Sequence, residues 1–130
     1  MRERPLSPHL SVYRFMYTMA LSILHRIAGL WLAVGSCALV YWLMSAAAGE
    51  SEYARAMVLF GNGLVRLLLL SWLAAFCYHF ANGLRHLSWD AGIGLEKRAT
   101  RLSGWLAVAV AVAGFLVAAY LLFCPRAGAL

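Results

Sequence analysis

The fold is decided by residues 57–84, which read MVLFGNGLVRLLLLSWLAAFCYHFANGL. This apolar run is interrupted by Asn62, Arg66, His79 and Asn82. A helix needs about 20 predominantly apolar residues to cross the roughly 30 Å of hydrocarbon in a bilayer. The stretch therefore predicts a membrane-spanning helix that carries a histidine inside the bilayer, where an ionisable side chain is costly and marks a candidate functional site.

The composition of the whole chain agrees with this prediction. Of its 130 residues 64% are hydrophobic and 12% are charged, and the mean hydropathy is +0.77. Soluble domains are nearer half apolar and a quarter charged, so a membrane protein is indicated. The formal net charge of +6 comes from cations that cluster at predicted helix ends, which suits lipid headgroups and argues against a nucleic-acid partner. The three cysteines have no CxxC spacing, so neither a disulfide framework nor a zinc site is expected.

We expect one all-α membrane domain over residues 1–130. Membrane spans are predicted at about residues 20–48, 57–85 and 102–124, after an N-terminal arm of about residues 1–16. Helices are expected because hydrocarbon offers no partner to unpaired backbone groups, and the spans lack the alternation of a barrel strand.

The basic residues predict the orientation. Eight lie on the N-terminal side or between the second and third spans: Arg2, Arg4, Arg14, Arg26, Arg85, Lys97, Arg98 and Arg101. The other side has three, namely Arg55, Arg66 and Arg126. Because basic loops stay on the cytoplasmic side, the N-terminus and second loop are expected in the cytoplasm.

In this orientation two polar clusters share one membrane depth. Ser22, His25 and Arg26 begin the first span, and His79 to His86 end the second. Ser22 and Arg26 are four residues apart on one helix face, where a hydroxyl and a guanidinium can donate hydrogen bonds to a ligand carbonyl or carboxylate. The alternative is that Arg26 extends to headgroups while Ser22 packs between helices.

His79 is the deeper of two histidines that lie about 10 Å apart along the helix axis, so the two cannot both bind one iron from an unbroken helix. Neutral imidazole is a common iron ligand, which makes His79 the candidate. Gly83, one turn on, would admit a flat macrocycle or another helix, and Arg85 and His86 would suit its acidic edge. The alternative is a histidine that only hydrogen-bonds a neighbouring helix.

Four separated motifs carry a family resemblance. They are Arg4-Pro5-Leu6-Ser7-Pro8-His9-Leu10, Tyr13-Arg14, Ser22-Ile23-Leu24-His25-Arg26-Ile27-Ala28-Gly29, and the stretch from His79 to Asp90. In this order they resemble the large cytochrome b membrane-anchor subunits of succinate dehydrogenase (succinate:quinone oxidoreductase). The resemblance covers nearly the full length. One departure is Ala28, where the family often has Thr or Ser.

The resemblance implies a non-catalytic subunit of respiratory complex II. It implies one haem b shared with a second small anchor subunit, with His79 as axial iron ligand. His25, Arg26, Gly83 and His86 would contact the haem, and Ser22 and Arg26 would bind ubiquinone. The implied partners are a flavoprotein, an iron–sulfur subunit, the second anchor and membrane lipid, in a hetero-oligomeric helix bundle. A single usable axial histidine in a three-helix chain agrees with such a partner.

Two alternatives stay open at this point. One is the anchor of a fumarate reductase, in which the same architecture runs in reverse. The other is a cofactor-free three-helix membrane protein whose histidines only bridge helices. No cleavable signal peptide or Arg- and Ser-rich presequence is expected, which favours a bacterial inner membrane over a mitochondrial one.

Overall fold

The computed structural model describes residues 15–123, and over that range all regular structure is helical. Four helices follow one another: α1 (Tyr17–Ala48), α2 (Glu50–Gly61), α3 (Gly63–Asp90) and α4 (Lys97–Phe123). The predicted all-α class is confirmed. Most of the predicted N-terminal arm and residues 124–130 lie outside the described residues.

Three of the described helices, α1, α3 and α4, are long and apolar enough to cross a membrane. Large apolar side chains cover their outward faces, among them Leu30, Leu67 and Leu116. Outward-facing leucines suit a hydrocarbon solvent, because lipid tails are as apolar as the side chains themselves. The predicted number of membrane-spanning helices is confirmed.

The second span begins later than the sequence predicts. The helix breaks at Asn62, whose backbone is extended (φ −64°, ψ 136°), so residues 57–61 belong to α2 and α3 starts at Gly63. The Asn62 side-chain oxygen accepts hydrogen bonds from the backbone N–H groups of Leu64 (2.9 Å) and Val65 (3.4 Å). This N-cap satisfies donors that a new helix would otherwise leave unpaired.

Helix α3 is the centre of the fold, since it packs against both α1 and α4. Its contact with α4 is built on small buried residues, Ala81 on one side and Ala107 and Ala111 on the other, with Cys77 and Tyr78 packed against them. Small side chains let helix backbones approach closely, which is how membrane helices gain packing energy without a hydrophobic driving force.

Two tryptophans fasten α1 to α3 near the middle of both helices. The indole N–H of Trp72 donates to the carbonyl of Leu32 (3.2 Å), and that of Trp31 donates to the Ser71 hydroxyl (3.1 Å). The Trp72 ring lies directly over Gly35, where a Cβ would overlap it. These two tryptophans therefore serve helix packing.

Gly35→Ala should destabilise the protein by about 1–3 kcal/mol, because the new methyl group forces the Trp72 ring out of its place between two helices. The matched control is Gly114→Ala on α4, where a Cβ would meet the Cys77 sulfur at an ordinary 3.8 Å. Thermal unfolding of the detergent-purified protein measures both. Equal loss in the two variants would contradict the packing role of Gly35.

Candidate functional site

Three histidines converge at one end of the bundle, where α1 begins, α3 ends and α4 begins; we call it the histidine end. The imidazole of His25 on α1 stacks on that of His79 on α3, with ring centroids 3.9 Å apart and planes within 7°. His86, two turns further along α3, lies 5.0 Å from His25 with its ring tilted by 40°. The structure thus places three of the predicted site residues in one cluster.

One hydrogen bond orients His79. Its Nδ1 lies 3.1 Å from the backbone carbonyl oxygen of His25. A carbonyl oxygen only accepts, so Nδ1 carries the proton and donates it, which leaves Nε2 with a free lone pair in the neutral ring. Metal-binding histidines are typically oriented in this way, by donating the second ring N–H to a carbonyl or carboxylate.

Gly29 gives the His79 ring its space. A Cβ at Gly29 would lie 2.9 Å from His79 Cε1, closer than side-chain atoms normally come. A Cβ at Gly83 would instead meet His25 Cε1 at 3.9 Å, an ordinary contact. Of the two glycines beside the histidines, the one in tight contact is therefore Gly29, which was not among the residues predicted from the sequence. In the sequence, the position of Gly29 one helical turn after His25 could have indicated that it lies beside the histidines.

His25 offers a polar atom with no partner. Its Nδ1 is buried and makes no hydrogen bond within the described residues. Buried polar atoms are nearly always paired, so an unpaired one marks a place where another group is expected. The His86 ring meets the indole of Trp89 edge-on at 5.1 Å, so His86 is held between α1 and the end of α3.

Ser22 and Arg26 lie on α1 at the histidine end, one turn apart. Ser22 is half-buried and Arg26 is exposed. Within residues 15–123 neither side chain has a hydrogen bond or ion pair. Both are therefore available to a ligand that approaches this part of α1.

Arg85 does not lie where the sequence predicts it, at the acidic edge of a ligand. It is buried, and its guanidinium donates to the Ser103 hydroxyl (3.1 Å), the Asn82 side-chain oxygen (3.2 Å) and the Thr100 carbonyl (3.0 Å). The difference follows from helix geometry, since consecutive residues project about 100° apart. His86 is beside His25, whereas Arg85 is directed to α4.

Within the described part of the chain, no three His, Cys, Asp or Glu side chains are grouped as for a bare metal ion. A haem iron needs fewer protein ligands than a bare ion, because the macrocycle supplies four ligands and the protein one or two. The free Nε2 of His79 and the unpaired Nδ1 of His25 are a donor set that fits a haem better than a bare ion.

Comparison with known proteins identifies the family. Residues 1–118 match the family model described as "Succinate dehydrogenase/Fumarate reductase transmembrane subunit". The chain is 36% identical over 112 residues to the succinate dehydrogenase cytochrome b556 subunit of Rickettsia typhi, covering 85% of this chain and 86% of that one. It is 40% identical over 94 residues to the b556 subunit of Paracoccus denitrificans, with 72% of each chain covered. It is 36% identical over 121 residues to the succinate dehydrogenase cytochrome b560 subunit of Reclinomonas americana, covering 89% of this chain and 84% of that one. The chain therefore belongs to the succinate dehydrogenase/fumarate reductase transmembrane subunit family.

Proposed function

We propose that this chain is the membrane-anchoring cytochrome b subunit of a succinate dehydrogenase. In this role it binds haem b and forms part of the site where ubiquinone is reduced. The observation that carries the proposal is the bond between His79 Nδ1 and the His25 carbonyl, because it fixes the tautomer that an axial ligand needs. The names of the relatives support the assignment to succinate dehydrogenase.

His79 would hold the iron of a haem through Nε2. His25, Arg26 and His86 lie at the same end of the helix pair and would supply hydrogen-bond donors and positive charge for the propionates. Gly83 has no side chain and would admit the macrocycle beside His25. A haem bound there would accept and release single electrons. Within the described residues His79 is the histidine whose second ring nitrogen is oriented by a carbonyl, so the partner anchor subunit would supply the other protein ligand, and the two subunits would share one haem.

Ser22 and Arg26 bind the quinone. Neither side chain has a hydrogen bond or ion pair within the described residues, and both can donate a hydrogen bond to a quinone oxygen. Reduction of ubiquinone to ubiquinol takes two electrons, delivered through the iron–sulfur subunit, and two protons. A donor beside the oxygen stabilises the negative charge that develops as the electrons arrive.

The chain anchors the flavoprotein and iron–sulfur subunits with a second small anchor, in a bacterial inner membrane with its N-terminus in the cytoplasm. The histidine end then faces the side from which the electrons come. The family description covers fumarate reductases as well, and the names of the three relatives favour succinate oxidation.

His79→Ala should abolish or shift the b-type signal in a dithionite-reduced minus oxidised spectrum of the purified complex, because the iron loses an axial ligand. His86→Ala is the comparison, since it changes a haem neighbour but keeps the ligand, and it should retain the band. An unchanged band in His79→Ala would contradict the assigned ligand. A wild-type complex without any haem band would favour the cofactor-free anchor.

Gly29→Ala should shift the reduction potential of the haem and its electron paramagnetic resonance spectrum, because a methyl group 2.9 Å from His79 Cε1 turns or displaces the ring. Potentiometric titration of the purified complex measures the effect. Gly114→Ala serves again as the control, since it adds the same methyl group at an ordinary contact distance. Identical spectra and potentials in both variants would mean that Gly29 does not position His79.

Ser22→Ala should lower ubiquinone reduction about two- to tenfold, the range that corresponds to one lost hydrogen bond. Succinate oxidation by artificial dyes should persist, because those electrons leave before the quinone site. Ser36→Ala is the matched control, since that residue is exposed on the same helix and its hydroxyl, within residues 15–123, bonds only the Ala33 carbonyl. Equal losses in the two assays for Ser22→Ala would contradict a role at the quinone.

A further inference from the structure

Among residues 15–123, Arg85 is a buried cation with no anionic partner. Only 6% of the surface of this residue is exposed. The single ion pair within residues 15–123 joins Arg55 to Glu52 at the other end of the molecule, and the three groups that accept from Arg85 are neutral. Trp89 lies over the guanidinium at 3.9 Å and contributes only a quadrupole. Neutral acceptors satisfy hydrogen bonds but do not neutralise a charge, and unpaired buried charge is costly.

A groove between α3 and α4 leads to this cation. The groove has a volume of about 240 Å³, and one of its ends is polar and the other apolar. The polar end is formed by Arg85, Ser88 and Ser103, and the apolar end by Leu106, Ala107 and Val110.

The groove changes from polar to apolar in the same direction as a bilayer leaflet does, from the membrane surface toward its middle. Because α3 ends where α4 begins, the polar residues of both helices meet at the same end of the groove. Val110 lies seven residues beyond Ser103, hence about 10 Å deeper along α4. A lipid with its headgroup at the membrane surface would thus present its phosphate to Arg85 and its acyl chain to the apolar end.

The hydrogen bonds already made at the polar end leave donors of Arg85 for a ligand that accepts hydrogen bonds. The hydroxyl groups of Ser88 and Ser103 already donate to the carbonyls of Leu84 (3.0 Å) and Thr100 (3.2 Å). A guanidinium has five N–H donors, and three of those of Arg85 are used within the described residues, so two remain for an incoming oxygen. The exposed cations Lys97, Arg98 and Arg101 begin α4 at this same end and would attract an anionic headgroup.

We propose that this groove binds one anionic phospholipid, with its phosphate at Arg85 and one acyl chain along Leu106, Ala107 and Val110. The lipid supplies the negative charge that Arg85 lacks and fills the gap between α3 and α4. The proposal does not depend on haem or quinone, since none of the groove residues belongs to the histidine cluster.

Native mass spectrometry of the assembled complex tests the proposal. The complex is stripped of lipid by detergent exchange and then incubated with phosphatidylglycerol or phosphatidylcholine. Wild type should retain one phosphatidylglycerol per copy of this chain. Val110→Trp should not retain it, because the larger indole side chain would fill the apolar end of the groove while Arg85 itself is kept. Arg85→Gln should weaken retention of that lipid about tenfold through loss of a charge-assisted hydrogen bond.

The matched control is Val112→Trp, on the same helix with nearly the same exposure (53% against 51% for Val110) and outside the groove. It should bind as wild type does. Equal retention of phosphatidylglycerol by wild type and Val110→Trp would overturn the proposal, whether or not Arg85→Gln assembles. Equal retention of phosphatidylcholine by wild type would also overturn it. Loss of a partner subunit from Val110→Trp, with lipid unchanged, would assign the groove to a protein instead.

Discussion

The structure depends most on the close approach of α1 to α3 at Gly29. There the imidazole of His79 reaches the backbone of α1 and donates to the carbonyl of His25. A polar ring in the interior of a membrane protein needs a hydrogen-bond partner. On a neighbouring helix the partner is either a side chain or a backbone carbonyl, which can accept a second hydrogen bond besides the one within its helix. Gly29 makes that partner accessible, because any larger residue would hold the ring away from the carbonyl.

Helix α3 separates two kinds of polar chemistry on adjoining faces. His79 and His86 address α1, where an imidazole with one nitrogen committed leaves the other for a ligand. Arg85 is directed to α4, where its hydrogen bonds to Thr100 and Ser103 join the two helices, and Asn82 accepts another hydrogen bond from it within α3. The two clusters lie within the last 12 residues of the same helix, from His79 to Asp90. A single helix end thus serves both the proposed cofactor and the packing of the bundle.

The packing that surrounds these clusters is built from small residues and tryptophans rather than from large interior leucines. Ala81 meets Ala107 and Ala111, and Trp72 lies over Gly35. Large apolar residues face outward instead, as expected where hydrocarbon is the solvent. Such a chain has little interior volume of its own, and this agrees with the proposal that its cofactor is enclosed together with a second anchor subunit.

The sequence by itself determined the all-helical class, the number of membrane-spanning helices and the family, because long apolar runs and separated motifs are local properties of the chain. It also predicted that residues 22–26 and 79–86 would lie at one depth, since antiparallel spans must bring those ends together. Only the tertiary structure decided which side chains meet. The space at Gly29 matters only because a ring from another helix enters it. The direction of Arg85 was decided in the same way, by hydrogen-bond partners that α4 presents 15 to 18 residues later in the chain. The break at Asn62 is local by contrast, since Gly61-Asn62-Gly63 is a turn signal in the sequence and the cap bonds stay within three residues. Hydropathy and spacing place a residue along a helix and on a face, whereas its contacts depend on how closely and at what rotation the helices pack.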